Sequence, residues 1–517
     1  MTRSSQNVAG LLAVGVKSAN RLWLSLAVAA ALTGMATSGA RAATAYYWDT
    51  NGTATGSGSA TGTWSSGSDA VFTTNSAGTA ATTTATTTAA DTLTFSAGTN
   101  GTAGTVTLSG DQAVGAVIVN QAGLTLQGSK LSTNRLVVNG NNTLTLKTGG
   151  TLTEVDGSTN GGTIDFAGGT YSMGNGAWDA ISNGSLNMKF TNDATFNATG
   201  PSLGYLGAVN VTYSSSGTST LTGATIGRAA NSSLTIQSGT INGGTSTIAI
   251  NGGRVEAPSA ALIVSGTGTF TAGTLALNPA SGGSATLTVS GGTLNTNSIT
   301  TAATGTKSIT LSGGVLGVNS TTTGVTWAPD MTLGGNTTLR AATLDGTAAN
   351  ITLSGVLSGA GGFTKTGGGT LTVSNAANSY TGSTTVSAGT LSLTNGSQLQ
   401  FVLGANGVNN SITVSNGATL SLGGNFAIDT SAAVTNIGNA WTLVSNAGTA
   451  NYLPTFALLG FTKGADNVSW TKAIAADRQY QFANSTGVLS VVAVPEPASI
   501  GGLIMLAGAG LIRRRKA

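Results

Sequence analysis

One short phrase recurs along the chain. Leu287–Leu294 reads LTVSGGTL and Ile309–Leu316 reads ITLSGGVL, with LTIQSGTI at Leu234–Ile241 and ITVSNGATL at Ile412–Leu420. In each copy apolar residues alternate with polar ones, mostly Thr or Ser, a Gly or Asn-Gly pair interrupts, and a further apolar position follows. Period-two alternation marks a strand with one buried face. Gly and Asn suit corners, where positive φ is often needed. The two best copies start 22 residues apart, a period that suits a β-solenoid whose coils each contribute short strands and stack on the coil before. The pattern predicts an all-β chain forming an elongated parallel β-helix, with Leu, Ile and Val inward and Thr and Ser outward. At ~4.8 Å per coil, roughly 12–18 coils would make a rod on the order of 60–85 Å long. A set of β-sandwiches, which also shows many short strands, is the competing reading.

The texture changes toward both ends and divides the chain into a secretory signal peptide (1–42), an N-terminal cap with the first coils (43–120), the solenoid (121–398), a β-rich C-terminal module (399–492) and a terminal segment (493–517). Trp48 and Trp64 are expected to pack over the first coil as a cap. The tract Thr79–Ala89 is almost pure Thr and Ala and reads as a loop or irregular edge. From about Leu399 aromatic residues become frequent, among them Phe401, Phe426, Trp441, Trp470, Tyr480 and Phe482. A module closing the open end of the rod is expected there, because a bare solenoid edge invites aggregation.

Composition narrows the chemistry. The 517 residues include 78 Gly but neither Cys nor His. Without Cys there is no disulfide, thiolate nucleophile or iron–sulfur cluster. Without His the usual general base and the commonest transition-metal ligand are missing, and no Ser-His-Asp triad can be built. The net charge of +4 is concentrated at the ends. Arg3, Lys17, Arg21 and Arg41 lie in the leader, and Arg513, Arg514, Arg515 and Lys516 close the chain. Removing these eight from the 20 basic residues, and Glu496 from the 16 acidic ones, leaves a body with 12 basic and 15 acidic residues. The basic balance therefore reports targeting and argues against a nucleic-acid partner.

Both ends carry targeting patterns. The leader has a positive n-region, an apolar run from Leu22 to Leu32, and a small-residue site at Ala40-Arg41-Ala42 with cleavage expected after Ala42; Ala43-Thr44-Ala45 is a second site. At the other end VPEPAS (Val494–Ser499) is followed by the apolar stretch IGGLIMLAGAGLI (Ile500–Ile512) and the basic cluster Arg513, Arg514, Arg515 and Lys516. The prolines favour an extended, accessible segment. The apolar stretch is expected to form a short C-terminal transmembrane helix, whose basic end stays cytoplasmic while the body lies outside. This three-part tail, with Pro495, Glu496 and Pro497 at its head, closely resembles the PEP-CTERM sorting signal of Gram-negative bacteria. The resemblance implies an exosortase, a membrane cysteine transpeptidase, as partner, with cleavage near the PEP motif. It also implies transient anchoring in the inner membrane, then release to the cell surface or an exopolysaccharide matrix.

A second resemblance lies within the body. Residues Ile351–Leu393 carry Gly359, Gly361, Gly362, Lys365, Gly367, Gly369, Thr370, Leu371, Tyr380, Gly382, Thr384, Val386, Gly389, Thr390 and Leu391 in the spacing of the autotransporter-associated β-strand repeat. Phe363 stands where that pattern has Leu, and Asn378-Ser379-Tyr380 where it has Asn-Thr-Tyr. The resemblance covers about a tenth of the chain and implies parallel β-helical coils in an exported passenger. A true autotransporter ends in a β-barrel translocator. The PEP tail argues instead for export by separate machinery.

Candidate chemistry is sparse. The densest acidic cluster is Glu154, Asp156 and Asp165. A carboxylate pair would serve glycoside hydrolysis, and the cluster would serve calcium, but the Asp156-Gly157 pair reads more simply as a turn. Arg254 and Glu256 read as a solvated pair on one strand face, and Lys365 as a surface residue of its repeat. The expectation is a structural or adhesin-like exported protein without catalysis or cofactors. Its alternatives are a polysaccharide-active enzyme or glycan-binding protein on a β-helix, and an autotransporter passenger.

Overall fold

The computed structural model describes residues 42–494, apart from residues 99, 122, 140–141, 158–161, 174–176, 181–183, 205, 229, 252–258 and 321–323. The described chain is all-β, with a parallel β-solenoid of about 13 turns and no helix. Among the described residues no helix is long and apolar enough to cross a membrane. The membrane helix expected over Ile500–Ile512 lies outside them.

Each coil presents three faces, and the recurring phrase shows how. Ser284–Val289, on the first face, pairs in parallel with Thr306–Leu311, setting Leu287 beside Ile309 and Val289 beside Leu311. After a Gly-Gly corner, Thr293–Thr301 begins on the second face, where Leu294 lies beside Leu316. The same strand then turns onto the third face. Its forerunner Thr269–Leu277 pairs with Ser232–Asn242 through its first half and with Thr247–Ile250 through its second. The 22-residue spacing of the two best copies is thus one turn of the solenoid. Alternation decides burial: in SATLTV, Ala285, Leu287 and Val289 are buried while Ser284, Thr286 and Thr288 stay partly exposed.

Inside, equivalent residues form columns. Ile351, Leu371, Leu391 and Leu420 stack on the third face, and Leu353, Val373, Leu393 and Leu422 run beside them. The interior is not uniformly narrow. Phe166, Phe190, Phe196 and Tyr213 are all fully buried, with Phe166 and Phe190 stacked at 4.6 Å and 5° and Phe190 tilted on Phe196 at 4.7 Å.

Trp48 and Trp64 lie within the first coil rather than over it. Both are fully buried, and Trp48 meets the rings of Phe72 at 5.8 Å and Phe95 at 5.3 Å. The strand Ala45–Trp48 pairs in parallel with Thr92–Phe95, and on its other edge antiparallel with Phe72–Thr73. Thr79–Ala89 is irregular, touching the ladder only where Thr83 bridges Phe72. At the far end, parallel pairing continues past Leu399 to Ala457–Leu458. The rise in aromatic residues therefore precedes the change of architecture. A five-stranded antiparallel sheet begins among these last coils, with Ala440–Thr442, Val488–Ala493, Arg478–Ala483, Ser469–Ala475 and Thr462–Lys463 in order. Phe482 of that sheet meets Phe426 and Phe456 of the last coils.

Because a solenoid coil touches mainly its neighbours, damage stays local. Phe190→Ala should cost ~3–5 kcal/mol. Amide exchange should speed up in Gly162–Gly168, Ser185–Phe190 and Ala208–Thr222, with the coils around Thr370–Val373 unchanged. Uniform loss of protection along the chain would contradict this reading.

Candidate functional site

The strongest local signal in the sequence, the segment around Lys365, folds into two successive coils. Phe363–Thr366 lies on the second face, with Leu339 beside Lys365 on one side and Val386 on the other. Leu339 and Val386 are core residues, and so is Lys365, at 0% exposure. The expectation of a surface lysine is corrected here: Phe363 and Lys365 share the inward parity of one strand while Thr364 and Thr366 point outward. The lysine stem continues the apolar column. Its ammonium reaches the corner and donates to the carbonyl oxygens of Gly367 at 2.6 Å, Gly369 at 2.5 Å and Ala388 at 2.7 Å. Three N–H donors meet three acceptors, joining one coil to the next. Burial pushes the ammonium down from its ordinary 10.5 to about 8, while the three carbonyls pull the other way by favouring the charged form.

The glycines of the pattern follow from this clamp. Gly389 sits at φ +63°, and a Cβ there would stand 2.4 Å from Lys365 Nζ and 2.5 Å from the oxygens of Gly367 and Gly369. A side chain at Gly382 would meet the Gly362 nitrogen at 2.2 Å. Asn378 and Tyr380 of the repeat are spent internally as well. Asn378, fully buried, accepts from the Leu357 amide at 2.8 Å and donates to the carbonyls of Asn375 at 2.9 Å and Gln398 at 3.1 Å. The Tyr380 hydroxyl lies 2.6 Å from Thr384 Oγ1, with its ring 5.6 Å from Phe363; burial raises its pKa.

The acidic residues of the expected cluster lie on two strands. Glu154 and Asp156 lie in the strand Gly150–Gly157. The ladder runs through Asp156 and Gly157, beside Val137 and Val138 on one side and Asp179 and Ala180 on the other, so the turn expected at Asp156-Gly157 is a paired strand. Asp165, on the strand Gly162–Gly168, accepts from the Thr191 hydroxyl at 2.8 Å. Among the described residues no group of three acidic side chains is placed to hold a metal. Other carboxylates brace turns. Asp91, buried, accepts from the amides of Thr44 at 2.9 Å and Thr88 at 2.8 Å. Asp345, Asp429 and Asp466 have carboxyl pKa values lowered chiefly by hydrogen bonds from Thr343, Ser431 and Ser469 respectively. Ala42 is exposed at the start of the described chain. Ala40, Arg254, Glu256, Pro495, Glu496, Pro497, Arg513, Arg514, Arg515 and Lys516 lie outside the described residues.

Two open clefts run along the corner between the third and first faces. One, of about 460 Å³, is lined by Thr225, Arg228, Asn251, Asn278, Pro279 and Thr304 among others. The other, of about 280 Å³, is lined by Thr301, Lys307, Ile309, Ala328, Pro329 and Asp330. Among the described residues, neither lining holds the two carboxylates that glycoside hydrolysis uses, and neither includes an aromatic ring on which a sugar would stack.

The model of the passenger-associated-transport-repeat family matches residues 363–393, the segment that holds the Lys365 clamp, Asn378 and Tyr380. No curated protein and no solved structure matches the chain.

Two outcomes test the clamp. Lys365→Met keeps the stem but strips the donor from three carbonyls, and should cost about 2–4 kcal/mol in denaturant unfolding. The folded pKa lies below the unfolded one, so between pH 8 and 10.5 the unfolded chain holds more protons. The wild type should therefore gain stability relative to Lys365→Met as pH rises through that window. Parallel stability curves for the two proteins would refute a buried, titrating ammonium.

Proposed function

We propose that this chain is an exported structural or adhesin-like protein of the cell surface or extracellular matrix, processed by an exosortase at its C-terminal tail. The passenger-associated repeat and the β-solenoid fit a passenger-like surface protein. The observation that carries the structural reading is the internal use of the repeat's polar residues. Lys365, Asn378, Tyr380 and Thr384 all satisfy one another or the backbone, so the repeat builds scaffold and leaves no reactive group facing out. A long parallel stack then presents rows of Thr, Ser and Asn for many weak contacts at once, with an exopolysaccharide as the intended neighbour. No catalysis is assigned to the body.

The tail supplies the route. Pro495, Glu496 and Pro497 are the recognition motif, the stretch Ile500–Ile512 holds the chain in the inner membrane until cleavage, and Arg513–Lys516 keeps its end cytoplasmic. A second reading, a passenger carried by an outer-membrane barrel, is favoured by the matched repeat itself.

Mass spectrometry of the secreted protein distinguishes the two. Exosortase processing predicts a mature C-terminus near Pro495–Pro497, and accumulation of uncleaved membrane-bound chain for Glu496→Ala. Secreted protein that still carries Lys516 would overturn the tail reading and leave the passenger reading standing.

A further inference from the structure

The third face of the later coils carries two columns of uncharged hydroxyl side chains. Thr326, Thr352, Thr372, Ser392 and Ser421 follow one another in register and end at Asn451. Beside them run Thr370, Thr390, Thr419 and Thr449. No register shift interrupts these pairings. All ten side chains are exposed or half-buried, and none makes a side-chain hydrogen bond within the protein. Elsewhere some outward hydroxyls bond to a neighbour, as Thr170 with Thr195 at 2.9 Å and Ser233, which donates to the Asn210 amide oxygen at 2.9 Å. The comparable column on the first face carries charge in its earlier coils, where Asp165 and Lys189 lie beside each other in the register. The later third face holds no charge.

We propose that this face binds ice. The array repeats at ~4.8 Å from coil to coil and ~6.8 Å between alternate residues of a strand, two periods close to those of the ice lattice. Each hydroxyl donates and accepts, and each threonine adds a methyl group that keeps loose water out of the gaps between columns. The charge pattern favours a neutral lattice: an ion would hold its own hydration shell and break the order of the water around it. A sugar chain is the weaker fit. Its hydroxyl contacts merely replace hydrogen bonds to water, and this face offers no aromatic platform to make up the difference. Ice requires no such exchange, because the water already ordered on the array becomes part of the crystal. This inference stands apart from the fate of the tail.

The test uses the purified full-length chain in an ice-recrystallisation assay, with crystal shape read under a microscope. The wild type should slow grain growth and facet the crystals. Thr372→Lys combined with Thr390→Lys should lose the effect, and so should Ser392→Tyr, whose bulk breaks the array while the residue suits a strand. Thr310→Lys, the same change on the first face, should retain it; unchanged melting midpoints show that all variants fold. A wild type without effect on ice overturns the proposal, as does equal loss in the first-face control. Retention on cellulose that depends on Thr372, without any effect on ice, would assign the face to a neutral glycan instead.

Discussion

A parallel solenoid closes its backbone hydrogen bonds between coils, so every position must lie over its equivalent one turn back. Register is therefore the constraint from which the rest follows. It turns each inward residue into a column, as Ile351, Leu371, Leu391 and Leu420 show, and each outward residue into a row. Turn length can vary so long as the strands return to register. Leu234 pairs with Leu262 and Leu262 with Leu287, 28 and 25 residues on, whereas the next turn takes 22. Between Leu262 and Leu287 the three extra residues lie in the connections, because the strands of this turn and the next are equally long.

The corners are also where the backbone loses its ladder partners. Buried carbonyl oxygens there need donors, and in the repeat one lysine supplies three. Burying an ammonium with no carboxylate to pair with is costly, and its lowered pKa reflects that cost. The arrangement holds because Gly389 and its neighbours leave room for Nζ to reach all three oxygens. Lysine and glycine at these spacings form one device: the glycines let the chain come close, and the ammonium satisfies what their close approach exposes.

Much of this was legible in the sequence, and the failures are informative. The period of two and the spacing of LTVSGGTL and ITLSGGVL carried the solenoid, because inward and outward positions are written directly in the alternation. Lys365 was misread by its charge although its parity was plain, since it shares a strand face with Phe363. Asp156-Gly157 was misread because a local turn signal was given more weight than the ladder on either side. Asn378 and Tyr380 had no parity to give them away. They lie between strands, and their burial depends on neighbouring coils that local pattern cannot see.

Stacking also explains why the ends differ from the middle. The last coil of a parallel stack leaves a row of unpaired amides and carbonyls that would accept another strand. Both ends carry a reversal of direction: Phe72–Thr73 runs antiparallel to Ala45–Trp48, and Val488–Ala493 runs antiparallel to Ala440–Thr442 beside the last coil. An antiparallel strand satisfies edge groups without presenting the same register onward, so the repeat has nothing to copy. The aromatic residues serve the same purpose from inside. An open column end would expose apolar surface of one coil's depth, and Phe426, Tyr452, Phe456 and Phe482 fill that space with rings 4.9 to 6.4 Å apart. The sequence becomes aromatic before the strands reverse because the plug must be built on the last coils to receive the sheet that follows.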